Sequence, residues 1–179
     1  MEKTNELLST LPEEAKDLRI NLKRVLEGES LTSEQTWGTA LAAAYYIRQP
    51  QLSAAILADA KTAGVGEGIL EDARGAASIM GMNTIYYRFR HIMNSEAYNQ
   101  RPANLRMMRM QNAATTQLNF ELFSIGPAAL AGCEMCLKAH EAAIKKDGMS
   151  EENVHDVVRI ASILHGVAVA LETLAPNGS

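Results

Sequence analysis

Cys133 and Cys136 are the two cysteines of this 179-residue chain, and they stand three apart in the run Ala131-Gly132-Cys133-Glu134-Met135-Cys136-Leu137-Lys138-Ala139-His140. No other stretch crowds several reactive side-chain types together. On a helix, residues at i and i+3 are neighbours across a turn, so the two thiols can close a local disulfide. His140, at i+4 from Cys136, then lies one turn further along the same face. Thiol chemistry runs through the thiolate, and a cysteine near a helix N-terminus beside an imidazole has its pKa lowered from about 8.5. Gly132 puts both sulfurs in that first turn, while Glu134 works against the lowering by adding negative charge nearby. A thiolate at Cys136 can attack a peroxide oxygen to give a sulfenic acid. Cys133 can then condense with it to a disulfide, which protects both sulfurs from over-oxidation.

The same residues admit other readings. Cys133, Cys136 and His140, with Glu121 as a fourth ligand, satisfy tetrahedral zinc, although structural zinc sites normally recruit a second, distant Cys or His pair. Buried cysteines at helical spacing also occur simply as small hydrophobes. A thioredoxin-like arrangement is disfavoured, because no strand pattern precedes Cys133. Glu121 stands in the mostly apolar run Gln117-Leu118-Asn119-Phe120-Glu121-Leu122-Phe123. Exposure is the ordinary expectation for such a Glu. A bend at Pro127 that folds the flanking helices together would instead bring it to His140, directly or through a water, where it orients the ring. His91, His155 and His165 read as structural histidines.

Helical start and stop signals recur along the whole chain, while hairpin turns between alternating apolar residues are missing, which predicts an all-α fold. Thr10 with Glu13 forms a capping-box pattern that opens a helix through Leu11, Ala15, Leu18, Leu22 and Val25 to Gly28. Thr32 with Gln35 repeats it for a helix through Trp37, Leu41, Ala44 and Tyr45 that Pro50 stops. Further helices are expected over about Leu52–Lys61 and Ile69–Met93, followed by an irregular connection, Asn94–Gln111, holding one short helical turn. A helix over Leu118–Ala131, bent near Pro127, leads to one from about Cys133 to just before Gly148; Ser150 then caps a last helix to about Leu174, and Pro176–Ser179 frays.

The length suits one domain, 1–179. Sliding the sequence on itself by 85 positions pairs Leu52 with Leu137, Lys61 with Lys146, Glu67 with Glu152, Arg74 with Arg159 and Gly81 with Gly166. Residues 36–85 and 121–170 then read as two copies of one helical unit. In this register Cys133, Cys136 and His140 meet Arg48, Gln51 and Ala55, so the chemistry belongs to the second copy alone.

Composition narrows the function. Seventeen basic against twenty-one acidic side chains give a net charge of −4 with no basic run, which argues against a nucleic-acid partner. A hydrophobic share of 47% with 21% charged residues is that of a folding globular chain. The N-terminus lacks the apolar run of a signal peptide. The longest nearly apolar stretch, 160–171, is interrupted by Ser162, His165 and Gly166 and falls short of the roughly 20 residues of a membrane span. The expectation is therefore an unexported protein without a membrane helix.

Four segments carry a family likeness: Thr36-Trp37-Gly38-Thr39; Ile79-Met80-Gly81-Met82-Asn83 with Tyr87-Arg88; Asn119-Phe120-Glu121-Leu122; and Gly132-Cys133-x-x-Cys136-Leu137-x-Ala139-His140-Glu141. Over nearly its whole length the chain resembles the AhpD-type alkyl hydroperoxidases, within the wider carboxymuconolactone decarboxylase-like helical superfamily. The resemblance implies an all-helical, trimeric, cytoplasmic antioxidant enzyme that reduces hydroperoxides and regenerates the peroxiredoxin AhpC. It also implies electrons from dihydrolipoamide on a lipoylated dihydrolipoamide acyltransferase, with no bound metal or haem. By the same resemblance Cys136 becomes the sulfenic acid, Cys133 is proton donor and resolving thiol, and Glu121 with His140 forms the relay that deprotonates Cys136. Some members of the family carry a histidine between the cysteines, where this chain has Glu134 and Met135. The alternatives are a metal-binding helical module, a cysteine-independent decarboxylase or isomerase of the wider superfamily, and a non-catalytic helical partner or redox sensor.

Overall fold

Apolar and small side chains surround the segments 33–47 and 117–131 on every side, and a helix without a polar face belongs in the middle of a bundle. In the computed structural model, which describes residues 1–174, these segments are helices α3 (Ser33–Ile47) and α8 (Gln117–Ala131), packed on one another. The long helices α5 (Glu67–Met93) and α10 (Glu151–Leu174) each pack on both. Helix α9 (Glu134–Lys146) lies on α8 and α5, α4 (Pro50–Thr62) joins α3 to α1 (Glu2–Ser9), and α2 (Lys16–Leu26) rests on α10. Two single-turn helices, α6 (Glu96–Asn99) and α7 (Met108–Gln111), sit in the connection before α8. The fold is all-α, and no strand occurs among the described residues.

Alanines 40 and 42–44 of α3 are fully buried, so its backbone can approach its neighbours closely. The tightest approach is at Gly38, where a Cβ atom would lie 2.1 Å from Cζ of the buried Phe123 on α8. Helix α10 has the length and composition of a membrane span over Glu151–Leu174, more than the 160–171 stretch the sequence isolates. Its Val157, Ile160, Ala161, Leu164 and Val167 are nevertheless buried in the core formed with α2, α3 and α8.

The helix signals held where the partner lies within one turn. Thr32 Oγ1 accepts from Gln35 N–H at 3.3 Å, and the Gln35 side chain accepts from Thr32 N–H at 3.1 Å. Arg48, at φ 66°, ends α3, and Pro50 then opens α4 as its first residue. The Thr10 capping box does not form. Thr10 closes α1 instead, its hydroxyl donating to Leu7 O at 2.7 Å, and α2 starts only at Lys16, after Pro12 and a 3-10 turn over Glu13–Ala15. The cap of α1 comes from far along the chain: the buried Asp59 carboxylate on α4 accepts from Lys3 N–H at 3.0 Å and Thr4 N–H at 2.8 Å. The connection after α5 holds two short helices rather than one. The expected fraying of Pro176–Ser179 lies outside the described residues.

Helices α8, α9 and α10 begin at residues 117, 134 and 151, each 84 residues after the starts of α3, α4 and α5 at 33, 50 and 67. Backbone geometry keeps that spacing: Gly132 (φ 64°) stands where Arg48 (φ 66°) does, and Gly148 (φ 91°) where Gly64 (φ 79°) does. The offset differs by one residue from the 85 suggested by identities.

Gly38→Ala is expected to lower stability by about 1–3 kcal/mol, because the new methyl must displace the Phe123 ring in a filled core. Urea unfolding checks this as a lower midpoint with an unchanged slope.

Candidate active site

Glycine adopts a positive φ without steric cost, and Gly132 uses this freedom to reverse the chain. Its N–H donates to Ala129 O at 3.0 Å, the Cys133 N–H donates to Ala128 O at 3.0 Å, and these bonds close the end of α8. Cys133 is extended and serves as the N-cap of α9, its Sγ accepting from the Cys136 N–H at 3.4 Å. Helix α9 therefore starts back along α8 after two residues. The expected bend at Pro127 is not what folds the pair together: Pro127 lies inside α8, buried, and the reversal falls five residues later.

Cys133 and Cys136 form a disulfide across the first turn of α9, with Cα atoms 5.3 Å apart. One turn on, His140 is buried, and its Nδ1 meets Oε2 of Glu121 at 2.5 Å, a direct contact. The other carboxylate oxygen accepts from Gln117 Nε2 at 2.9 Å. Burial pushes the Glu121 carboxyl up, but the hydrogen bond and charge of His140, with help from Gln117, outweigh it and hold the group below its ordinary value of 4.5. An ionised carboxylate only accepts, so Nδ1 carries the proton in this pair. Glu134, between the cysteines, spends its charge outward on Lys138 and on His91 Nε2 at 3.1 Å. His155 and His165 are exposed on α10.

Cys136, His140 and Glu121 line one wall of a cavity of about 640 Å³. Cys133 is fully buried and is absent from its lining. Helix α5 contributes Asn83 and Tyr87 to the lining, and the connection around α7 contributes Met107 and Met110. That connection is tethered by Asp72 of α5, a fully buried carboxylate. Asp72 accepts from Arg109 Nη2 at 2.7 Å, from the Ala114 and Thr115 N–H groups at 2.8 Å each, and from Thr115 Oγ1 at 2.7 Å. Sequence reasoning missed Asp72 and Asn83. Their signal was a polar side chain within the apolar face of α5 formed by Ile69, Leu70, Ala73, Ala76 and Met80. Among the described residues, no group of three or more His, Cys, Asp or Glu side chains is arranged to hold a metal ion.

A disulfide spanning three residues staples almost nothing, and one whose second sulfur borders a cavity beside an imidazole belongs to the dithiol redox class, here on a helical scaffold. Residues 96–176 match the model of the carboxymuconolactone decarboxylase family. The chain is 46% identical to the alkyl hydroperoxide reductase AhpD of Anaeromyxobacter sp. (strain Fw109-5), over 96% of this chain and 92% of that protein. It is 48% identical to AhpD of Anaeromyxobacter dehalogenans (strain 2CP-C), over 90% and 87%, and 42% identical to AhpD of Solibacter usitatus (strain Ellin6076), over 95% and 96%. The chain belongs to the AhpD alkyl hydroperoxide reductases, within the carboxymuconolactone decarboxylase family.

Glu121→Gln replaces a charged acceptor of the buried imidazole by a neutral one and is expected to cost about 1–2 kcal/mol at neutral pH. Because the folded-state pKa of Glu121 is depressed, its contribution is fully present above the ordinary value of 4.5 and fades as pH falls through the lower folded value. Melting curves of the two proteins should therefore converge only in acid.

Proposed function

We propose that this protein reduces organic hydroperoxides through a dithiol–disulfide cycle at Cys133 and Cys136, as the shared name of its relatives suggests for this chain too. The observation that carries the reading is the unequal placement of the sulfurs: Cys136 borders the cavity together with the Glu121-linked His140, while Cys133 is sealed behind it. In the reduced protein, Nδ1 of His140 is committed to Glu121, so Nε2 is the nitrogen available to take the Cys136 proton. The thiolate stands at the third residue of α9, where the N-terminal end of the helix dipole favours negative charge. It attacks the terminal oxygen of the hydroperoxide; the O–O bond breaks, Cys136 becomes the sulfenic acid, and the departing alkoxide takes the proton back from His140 as the alcohol. The Cys133 thiol then displaces water from the sulfenic acid and closes the disulfide.

Two electrons must reopen it. The family resemblance supports dihydrolipoamide, carried by a lipoylated dihydrolipoamide acyltransferase, as the donor through thiol–disulfide exchange. It likewise supports the peroxiredoxin AhpC as a partner regenerated by the protein, a trimeric assembly and a cytoplasmic location. The 84-residue spacing of the helices supports a duplicated helical unit in which only the second copy is chemical. At that offset Trp37, Gln49, Leu52 and Ile56, all buried, occupy the places of Glu121, Cys133, Cys136 and His140.

Mixing the reduced protein with cumene hydroperoxide and following consumption of the hydroperoxide tests the cycle. Cys136→Ser is expected to fall to background, whereas Cys133→Ser should accumulate a sulfenic acid trappable by dimedone. An unchanged rate in Cys136→Ser removes that sulfur from the chemistry. Glu121→Gln should slow the reaction by a factor on the order of 10², with its pH profile displaced upward, since a weaker base takes the thiol proton. Turnover with dihydrolipoamide, compared with thioredoxin and glutathione, identifies the donor.

A further inference from the structure

Asn83, on α5, lines the same cavity as Cys136 and His140 and is 4% exposed. Its amide is oriented by Met110 of α7, whose Sδ accepts from Nδ2 at 3.4 Å. The other end of the amide is unspent: Oδ1 is buried and has no hydrogen-bond partner. Buried carbonyl oxygens are almost always paired, and one left over on a residue that lines a reactive cavity marks a place where a ligand supplies the donor. The neighbouring surface narrows what that ligand is. Met107, Met110 and Met135 present flexible, polarisable thioether side chains to the cavity, a lining that adapts to an apolar body of variable shape. The ligand therefore combines one hydrogen-bond donor with an apolar remainder, and an alkyl hydroperoxide has one O–H group, on the terminal oxygen that a thiolate attacks.

We propose that Asn83 is the substrate-orienting residue of this site: its Oδ1 accepts the O–H of the hydroperoxide and holds the terminal oxygen toward Cys136, while the alkyl group lies along the methionine wall. The inference rests on the peroxidase reading above. The proton that Asn83 holds is not transferred. It stays on the terminal oxygen as the O–O bond breaks and the S–O bond forms, so the same hydrogen bond passes from the hydroperoxide to the nascent sulfenic acid. The proton for the departing alkoxide comes from His140, as before. Asn83 thus acts on where the oxidant sits, and the Glu121–His140 pair acts on how readily Cys136 ionises.

That division sets the test. Reduced wild-type protein, Asn83→Leu and Met110→Leu are each treated with cumene hydroperoxide, and in parallel with iodoacetamide across a range of pH. Alkylation reports thiolate formation and needs no orienting acceptor. Asn83→Leu is expected to lower the second-order rate with the hydroperoxide roughly tenfold, the loss of one hydrogen bond, and to leave the alkylation profile where it is in the wild type. Met110→Leu, which keeps the acceptor and frees the amide to turn, should show a smaller loss of the same selective kind. It also provides the reading should Asn83→Leu fail to fold. A hydroperoxide rate unchanged in both variants, or a parallel fall in both reactions, overturns the proposal. A wild-type protein that alkylates but does not react with the hydroperoxide instead overturns the peroxidase reading, so the two failures are told apart.

Discussion

The two-residue reversal at Gly132 and Cys133 is the constraint on which the site depends. A longer loop would leave α9 free to slide or rotate along α8, and Glu121 and His140, nineteen residues apart in the chain, would meet in only some arrangements. With Gly132 in the left-handed region and Cys133 already capping the next helix, both the register and the facing sides of α8 and α9 are set. Cys133 therefore has a structural and a chemical part in one atom, since the sulfur that receives the Cys136 N–H is also the sulfur bonded to Cys136. At the corresponding turn before α4, Gln49 receives the Leu52 N–H at 2.8 Å through an amide oxygen, the ordinary chemistry of such a cap.

Buried and half-buried carboxylates play a second recurring part. Asp59, Asp72 and Glu121 come from α4, α5 and α8, and each joins segments that are distant in the chain. Asp59 and Asp72 receive backbone N–H groups, which have few alternatives away from water, so a carboxylate there fixes the path of a segment rather than just one side chain. Asp59 seats the first helix, and Asp72 seats the loop that walls the cavity. Glu121 differs in holding a titratable side chain, His140, which lines the cavity beside Cys136.

These anchors also explain which features could be read from the sequence. The helix starts at Ser33 and Glu134 were legible because their caps, Thr32 and Cys133, lie next to them. Helical spacing put Cys136 and His140 on one face of α9, but exposure was the ordinary expectation for Glu121, and its contact with His140 depends on α8 and α9 lying back to back. Helix α1 was not legible, because its N-terminal amides are satisfied by a residue more than fifty positions away, and Thr10 mimics a cap while back-bonding to Leu7. Pro127 drew the bend to itself, although a buried helix tolerates a proline when its neighbours hold it, and the glycine with a positive φ did the turning. Asp72 carried only the faint mark of polarity on an apolar face; Asn83 stood in a segment of the family likeness without a role assigned to it, and their partners, Thr115 and Met110, come from a segment with no periodic pattern.

The tether at Asp72 separates two tasks that many sites entangle. The disulfide, the Glu121–His140 pair and Met135 belong to α8, α9 and the turn between them, whereas Met107 and Met110 ride on a segment moored to α5 by backbone amides. Arg109 and Thr115 add side-chain bonds to Asp72, but the mooring through amides is indifferent to the side chains at Met107 and Met110. Descendants of such a scaffold can thus exchange thioethers for bulkier or smaller groups, retuning which oxidants fit, without disturbing the machinery that breaks the O–O bond. Selectivity and reactivity are free to evolve at different tempos.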